Sequence, residues 1–257
     1  MDILHFEDRS LSFITVHPTK QLREDLVLIF LHEALGSISQ WRSFPEQLCN
    51  ELGLDGFVYE RHGHGNSSKL TKKRDQHYLH EYALIELPML IERVFPLDKR
   101  LILVGHSDGG TISLLYAAKH SKRVHSIITM AAHVINETET KEGIIPAIDA
   151  FKSGKLNGLK KYHGDKTEVL FYAWADTWLS PEFESWNITK DIHGIDKSIL
   201  AIQGKDDQYG TVKQLDLIRN STDCNVTTLL IPFCGHHPHL EKPSETISEI
   251  SKFLLSI

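Results

Sequence analysis

The feature that most constrains the fold is an alternation along the chain between apolar runs of strand length and amphipathic stretches of helix length. The strand candidates are Asp25 to Leu31, Gly56 to Tyr59, Arg100 to Gly105, Ser126 to Ala131, Ser198 to Gln203 and Thr227 to Pro232. Most of these runs are continuously apolar, which is typical of strands covered on both faces. We therefore predict an α/β fold with a doubly wound, mostly parallel central sheet and helices on both of its faces.

Two weaker strand candidates precede these runs and predict an antiparallel edge: Ile3 to Phe6 and Leu11 to Val16. At the other end, an amphipathic stretch that begins at Pro243 predicts a terminal helix docked on the sheet.

The segment from Asn136 to Ile195 breaks the alternation because it contains no convincing buried strand. Its residues Trp174 and Trp178 are four positions apart and would share one face of a helix. Such aromatic residues either fill the core of a small helical subdomain or line a pocket beneath a cap, and both interpretations stay open. We predict a core formed by residues 1–135 and 196–257 and a helical cap insertion at 136–195.

Composition limits the classes of partner. The chain has 257 residues and a net charge of -6, so it offers no basic field for a nucleic acid and favours a small-molecule substrate. No apolar run approaches the length of a membrane span and no signal peptide is apparent, so we expect no membrane partner. The three cysteines have unrelated spacings, which indicates reduced thiols and a cytoplasmic location. Monomer and homodimer are both compatible with the sequence.

The strongest local signal for chemistry is LILVGHSDGGTISLLYAAKH, in which a strand ends at Gly105 and a helix begins just after Ser107. A G-x-S-x-G pattern between a buried strand and a helix is the context of a nucleophile elbow. Gly105 and Gly109 lack the Cβ atoms that would collide in so tight a turn. Ser107 is therefore the predicted nucleophile, placed at a helix N-terminus that can stabilise an oxyanion.

A serine nucleophile needs a base and an orienting acid, which we expect at the ends of other strands. Asp206 and Asp207 follow one strand candidate, in GKDDQYGT, and His236 follows the next, in CGHHPHLEKP. From the residues alone either aspartate could be the acid. The order serine, aspartate, histidine is one of the known orders of a catalytic triad.

A metal-dependent hydrolase is a competing interpretation, because the chain has 16 histidines. His62 and His64 have H-x-H spacing, and His236, His237 and His239 could add ligands. No further ligand follows at the distance that a dinuclear centre needs, so we predict neither a metal nor another cofactor.

Five motifs, in order, resemble those of the α/β-hydrolase fold superfamily over nearly the whole chain. FLHEALGSISQW resembles its first oxyanion loop, H-G-x-x-G-S, and YERHGHGNSS resembles its D-x-x-G-x-G-x-S turn. GHSDGG, GKDDQYG and GHHPHLEKP resemble its elbow, its G-x-x-D acid turn and its G-H-x-x-x-x-E-x-P histidine loop. The resemblance implies a sheet of about eight strands with the cap inserted after SIITMA.

Carried over by position, the resemblance implies that Ser107 is the nucleophile, Asp207 rather than Asp206 the acid, and His236 the general base. It places the oxyanion hole at the backbone N–H groups of Ala34 and Asp108.

The resemblance also implies that His32 braces the oxyanion loop. Two positions depart from the family pattern: Glu33 stands where the family usually has glycine, and Glu60 stands where it often has aspartate. We expect the Glu33 side chain to turn away from the pocket, since a carboxylate there would oppose an anion. His106, Trp174 and Trp178 are candidate residues of the substrate pocket.

We predict a serine hydrolase, foremost a carboxylesterase that cleaves a small ester through an acyl-enzyme intermediate. Hydrolysis of a carbon–carbon bond in a vinylogous diketone, on the same triad, is the main alternative. Its substrates carry carboxylates, and the predicted cap contains no arginine. A ligand-binding receptor on this fold is less favoured, because a binder does not need a nucleophile and a base. The sequence does not identify the substrate.

Overall fold

One eight-stranded sheet organises the computed structural model, which describes residues 1–257. The strands are β1 Asp2–His5, β2 Ser10–Val16, β3 Leu26–Leu31, β4 Asp55–Glu60, β5 Arg100–His106, β6 Val124–Met130, β7 Ile199–Gly204 and β8 Val226–Ile231. Their order across the sheet is β1-β2-β4-β3-β5-β6-β7-β8. β2 pairs antiparallel with β1 and β4, and every other pairing is parallel. The predicted mostly parallel sheet and its antiparallel edge are confirmed.

Successive residues of the central strands contribute to opposite faces of the sheet. In β3, Leu26, Leu28 and Phe30 belong to one hydrophobic cluster, whereas Val27, Ile29 and Leu31 belong to the other. All six residues of β3 are buried. Helices on both faces exclude water from both sets of side chains, which is why the strand sequence is continuously apolar.

Ten α-helical segments surround the sheet: α1 Phe44–Leu52, α2 Tyr78–Glu81, α3 Leu87–Val94, α4 Asp108–His120, α5 Thr138–Lys152, α6 Lys160–His163, α7 Thr167–Leu179, α8 Lys213–Ser221, α9 Pro238–Glu241 and α10 Pro243–Leu255. A π-helical turn at Tyr82–Glu86 joins α2 to α3. Short 3-10 turns lie at Ile38–Trp41, Ser121–Arg123, Asn157–Leu159, Gly164–Lys166 and Pro181–Phe183. The predicted terminal helix is α10, and none of the helices is both long and apolar enough to cross a membrane.

The last strand, β8, differs from the expectation of burial on both faces. Only Ile231 among its six residues is buried. β8 pairs with β7 alone, so its outer edge and part of its surface face solvent.

Residues 136–195 are largely helical and carry α5, α6 and α7. Their aromatic side chains belong to the same hydrophobic cluster as one face of the sheet, and Trp174 and Trp178 are both buried. This segment therefore does not have a separate core of its own.

Candidate active site

Ser107 lies between β5 and α4 in a backbone conformation that residues other than glycine rarely adopt, with φ 52° and ψ -118°. A Cβ atom on Gly105 would come within 2.2 Å of the Gly109 carbonyl oxygen. One on Gly109 would come within 1.8 Å of the Leu31 carbonyl oxygen at the end of β3. The two glycines thus allow the strained turn to pack directly against the neighbouring strand.

Asp207 and His236 meet where β7 and β8 end. The His236 Nδ1 atom is 2.9 Å from both carboxylate oxygens of Asp207. Asp206, the other candidate acid, is exposed and makes no side-chain hydrogen bond to His236. The structure therefore pairs His236 with the aspartate that the family motif indicates.

The surroundings of Asp207 hold it as a carboxylate. Its Oδ1 accepts the Tyr209 backbone N–H at 2.8 Å, and its Oδ2 accepts the Gln203 side-chain amide at 2.5 Å. Burial favours the neutral acid, but the contact with His236 and the hydrogen bond from the Tyr209 N–H keep the pKa of Asp207 below its ordinary value. Since a carboxylate only accepts, the proton of a neutral His236 ring lies on Nδ1, which leaves Nε2 free to act as a base.

Ser107 and His236 line one cavity of about 230 Å³ at the carboxyl ends of the strands. Its walls come from both sides, the sheet and residues 136–195: Glu33, Ala34, Leu35, Gln40, Ser107, Asp108, His133, Thr140, Ala147, Leu156, Leu159, Phe171, Trp174, Trp178, Tyr209, His236 and His237. No lysine or arginine lines it. Trp174 and Trp178, the two candidate pocket residues of the 136–195 segment, are part of the wall.

Ala34 and Asp108 both line this cavity, and their backbone N–H groups donate to no acceptor in the protein. The Glu33 carbonyl accepts hydrogen bonds from Arg61 Nη2 at 2.9 Å and from the His32 ring at 2.7 Å. The C=O and N–H of a trans peptide point in opposite directions, so this fixes the Ala34 N–H away from Arg61. His32, whose Nε2 also accepts the Arg61 backbone N–H at 3.1 Å, lies where a brace is predicted.

The prediction that His106 lines the pocket is wrong. His106 is fully buried and absent from the cavity wall, because it follows Ile102 and Val104 on the opposite face of the sheet. Its Nε2 donates to the His236 carbonyl at 2.7 Å, and its ring centroid is 4.6 Å from that of His239. His106 therefore supports the loop that carries His236 and His239 from the side opposite the cavity.

The expectation that Glu33 turns away is also wrong, since its side chain is 18% exposed and lines the cavity. Gln40 Nε2 is 3.4 Å from its Oε1, and His106 Nδ1 is 3.6 Å from its Oε2. Burial works to raise the pKa of Glu33, but His106 and the histidines nearby hold it below its usual range. The cavity therefore contains a carboxylate.

The three histidines of CGHHPHLEKP have separate positions. His237 lies at the cavity rim, and burial lowers its pKa to about 4. His239 is buried against Trp41, with ring centroids 4.8 Å apart. Glu241 accepts the N–H groups of Gly235 at 2.7 Å and His237 at 3.0 Å, so its carboxylate holds the loop on both sides of His236.

The side chains considered as metal ligands do not converge: no group of three or more His, Cys, Asp or Glu side chains is placed to hold a metal ion. His64 instead donates from Nε2 toward the Ala34 carbonyl at 3.0 Å. All three cysteines are free thiols.

Two residues beside His236 were not predicted from the sequence. Tyr209 lies edge-on to the His236 ring, with centroids 4.8 Å apart, and the centroid of the His133 ring is 6.0 Å from that of His236. His133 Nε2 donates to the Tyr209 carbonyl at 3.0 Å, which ties the two together. Tyr209 follows Asp207 by two positions, so the acid turn itself could have indicated it.

Known proteins resemble this chain in sequence. Residues 27–185 match the model of the alpha/beta hydrolase fold family. A 2-hydroxy-6-oxo-6-(2'-aminophenyl)hexa-2,4-dienoic acid hydrolase of Metapseudomonas resinovorans is 25% identical over 207 residues, which cover 72% of this chain and 69% of that protein. A protein of Mycoplasma pneumoniae named as an esterase/lipase is 22% identical, with 95% of each chain covered.

Solved structures share the fold. A bacterial membrane phospholipase A superposes with a TM-score of 0.78 at 20% identity, covering 99% of this chain and 85% of its own. A serine hydrolase involved in carbazole degradation superposes with a TM-score of 0.75 at 18% identity, covering 100% and 98%. The chain belongs to the alpha/beta hydrolase fold family.

Proposed function

We propose that the protein is a serine hydrolase, and that it cleaves a compact carboxylic ester with a neutral acyl group. The observation that carries this proposal is the shared cavity of Ser107, in its strained turn, and His236, which is paired with the buried Asp207. Fold alone would not suffice, because this architecture hosts many activities.

The reaction would proceed in two steps. His236 Nε2 takes the Ser107 proton while Oγ attacks the ester carbonyl, and the N–H groups of Ala34 and Asp108 stabilise the oxyanion. The alcohol leaves with that proton, which yields an acyl-enzyme on Ser107. Water then gives a proton to His236 and attacks the acyl carbon. The bond to Ser107 Oγ breaks, the acid is released, and His236 returns the proton to Oγ. Throughout, Asp207 holds the imidazole and stabilises its charged form.

The cavity favours esters over carboxylated diketones. Its lining has no cationic side chain, and Glu33 adds a carboxylate, so a substrate carboxylate would be bound without a partner. Its volume of about 230 Å³ is below the roughly 300–1,000 Å³ of pockets for drug-sized ligands, which favours a short acyl chain. We further propose that residues 136–195 act as the cap over this pocket.

Carbon–carbon bond hydrolysis is the second candidate, because the relative from Metapseudomonas resinovorans is named as the hydrolase of a dienoic acid. A direct comparison decides between them. Turnover of a dienoic acid of that class at a higher kcat/KM than any short p-nitrophenyl ester would favour the second candidate.

Purified protein should hydrolyse p-nitrophenyl butyrate and react with a fluorophosphonate probe. Ser107→Ala should lower kcat by at least about 10³-fold and abolish labelling, whereas the exposed Ser153→Ala should change neither. Activity that survives Ser107→Ala would overturn the proposal.

Charge selectivity is a second test. The kcat/KM for a p-nitrophenyl ester with an uncharged acyl chain should be at least about tenfold higher than that for a p-nitrophenyl hemiester of a dicarboxylic acid of similar length. Glu33→Gln should reduce this ratio of kcat/KM values. An unchanged ratio in the Gln variant would show that Glu33 does not set the preference.

A further inference from the structure

The loop that carries the Ala34 N–H is held by its carbonyl groups. Arg61 donates to the His32 carbonyl and, at 2.9 Å, to the Glu33 carbonyl. His64 donates to the Ala34 carbonyl at 3.0 Å. Each bond fixes one peptide plane and therefore also the direction of the following N–H group.

The next carbonyl, that of Leu35, is bound by a residue of the 136–195 segment. His163, at the end of α6, donates from Nε2 to Leu35 O at 2.8 Å and accepts the Gly65 backbone N–H at Nδ1, 3.0 Å away. The ring is buried, and both bonds require the neutral imidazole with its proton on Nε2. Burial lowers the pKa of His163, which is consistent with that form.

The second N–H group, that of Asp108, is also connected to this segment. The Asp108 carboxylate accepts the Tyr78 hydroxyl at 2.8 Å, and Tyr78 in turn accepts the Trp178 indole N–H at 2.8 Å. Asp108 and Tyr78 are almost completely buried. The peptide whose carbonyl His163 binds also donates its Gly36 N–H to the Glu33 carbonyl at 3.0 Å, and that carbonyl shares a peptide plane with the Ala34 N–H. Ala34 and Asp108 therefore each lie two hydrogen bonds from a residue of the 136–195 segment.

We propose that His163 is a positioning residue for the oxyanion hole, so that docking of the 136–195 segment completes the site as well as covering it. This inference rests on the proposed function, because it assumes that Ala34 and Asp108 bind an oxyanion. The Trp178–Tyr78–Asp108 chain does the same for the second donor. Neither His163 nor Tyr78 lines the cavity, so neither touches the substrate.

Two near-isosteres separate the bonds of His163. The Gln nitrogen lies as many bonds from Cα as Nε2, so His163→Gln keeps the bond to Leu35. The Asn oxygen lies as many bonds from Cα as Nδ1, so His163→Asn keeps only the bond to Gly65. We expect kcat for p-nitrophenyl butyrate to fall ten- to a hundredfold in the Asn variant and less than about threefold in the Gln variant, with KM changed little in both.

Lys166→Met is the matched control for docking. Lys166 also ties this segment to the core, through the carbonyls of His64 at 3.1 Å and of Ser67, but it makes no bond to residues 32–35. Its kcat should stay within about threefold of wild type. Tyr78→Phe, which cuts the second chain, should lower kcat about tenfold or more.

Equal kcat in the Gln and Asn variants, or a loss in Lys166→Met as large as in the Asn variant, would overturn the positioning role. In that case wild-type labelling at Ser107 would still support the serine hydrolase. A wild-type protein that neither hydrolyses esters nor labels at Ser107 would overturn both. Thermal melts of the two His163 variants, expected to be similar, exclude unequal folding as the cause of a difference.

Discussion

Asp207→Asn probes the centre of the proposed mechanism and has two calculable effects. The carboxylate serves two fixed donors, with Oδ1 facing the Tyr209 N–H at 2.8 Å and Oδ2 facing the Gln203 amide at 2.5 Å. Asparagine has one oxygen, so in either orientation its NH2 group faces one of these donors. Rotating the Gln203 amide would relieve one contact, but it would break that amide's bond to the Gly210 carbonyl at 3.3 Å.

The structural cost is therefore about one unsatisfied buried polar group, roughly 1–3 kcal/mol of unfolding free energy. The catalytic cost is larger, because the neutral amide no longer stabilises a charged His236 and can hold its ring in the wrong tautomer. We expect kcat to fall by about 10³- to 10⁴-fold, or roughly 4–5.5 kcal/mol of barrier.

Urea unfolding measures the first quantity and steady-state ester hydrolysis the second. Asp206→Asn is the control, since its side chain is exposed, and it should change kcat less than about twofold. An Asp207→Asn enzyme that keeps more than a tenth of wild-type kcat, or an equal loss in Asp206→Asn, would refute the assignment of the acid.

Three further substitutions test other parts of the structure. Burial raises the pKa of Glu86 to about 7, above its ordinary value of 4.5. As pH rises the unfolded chain therefore releases this proton first, and stability falls between about pH 4.5 and 7. Glu86→Gln should remove that fall and be more stable than wild type by on the order of 3 kcal/mol at pH 8; a difference in urea midpoint that does not vary with pH would contradict this. Gly109→Ala should cost more than about 3 kcal/mol, because its Cβ would lie 1.8 Å from Leu31 O, and a wild-type melting temperature would show that the elbow is looser than described. Trp174→Ala should enlarge the cavity and shift the preferred acyl chain to a longer one, in a series of p-nitrophenyl esters from acetate to decanoate. Each added methylene that fits should raise kcat/KM about fourfold. An unchanged preferred chain length would show that Trp174 does not contact the acyl chain.

The order of strands and helices could be read from the sequence because its cause is local. A strand buried on both faces must be apolar at every position, and this leaves a run such as LVLIFL in β3. The turn at Ser107 could also be predicted from the sequence, since a strained turn between a strand and a helix requires glycine at the positions beside it. The same periodicity could have shown that His106 points away from the pocket, because it continues the face of Ile102 and Val104.

Contacts between segments that are distant in sequence could not be predicted from local patterns. The residues alone left Asp206 and Asp207 open, and only the meeting of two loops 29 positions apart pairs His236 with one of them. The bond from His163 to Leu35 spans 128 positions, and no motif marks it. Local patterning determined which elements form and where the strained turn with the proposed nucleophile Ser107 lies. Tertiary packing decided which side chains contact the proposed oxyanion loop and what charge lines the cavity, because both depend on how separate elements meet.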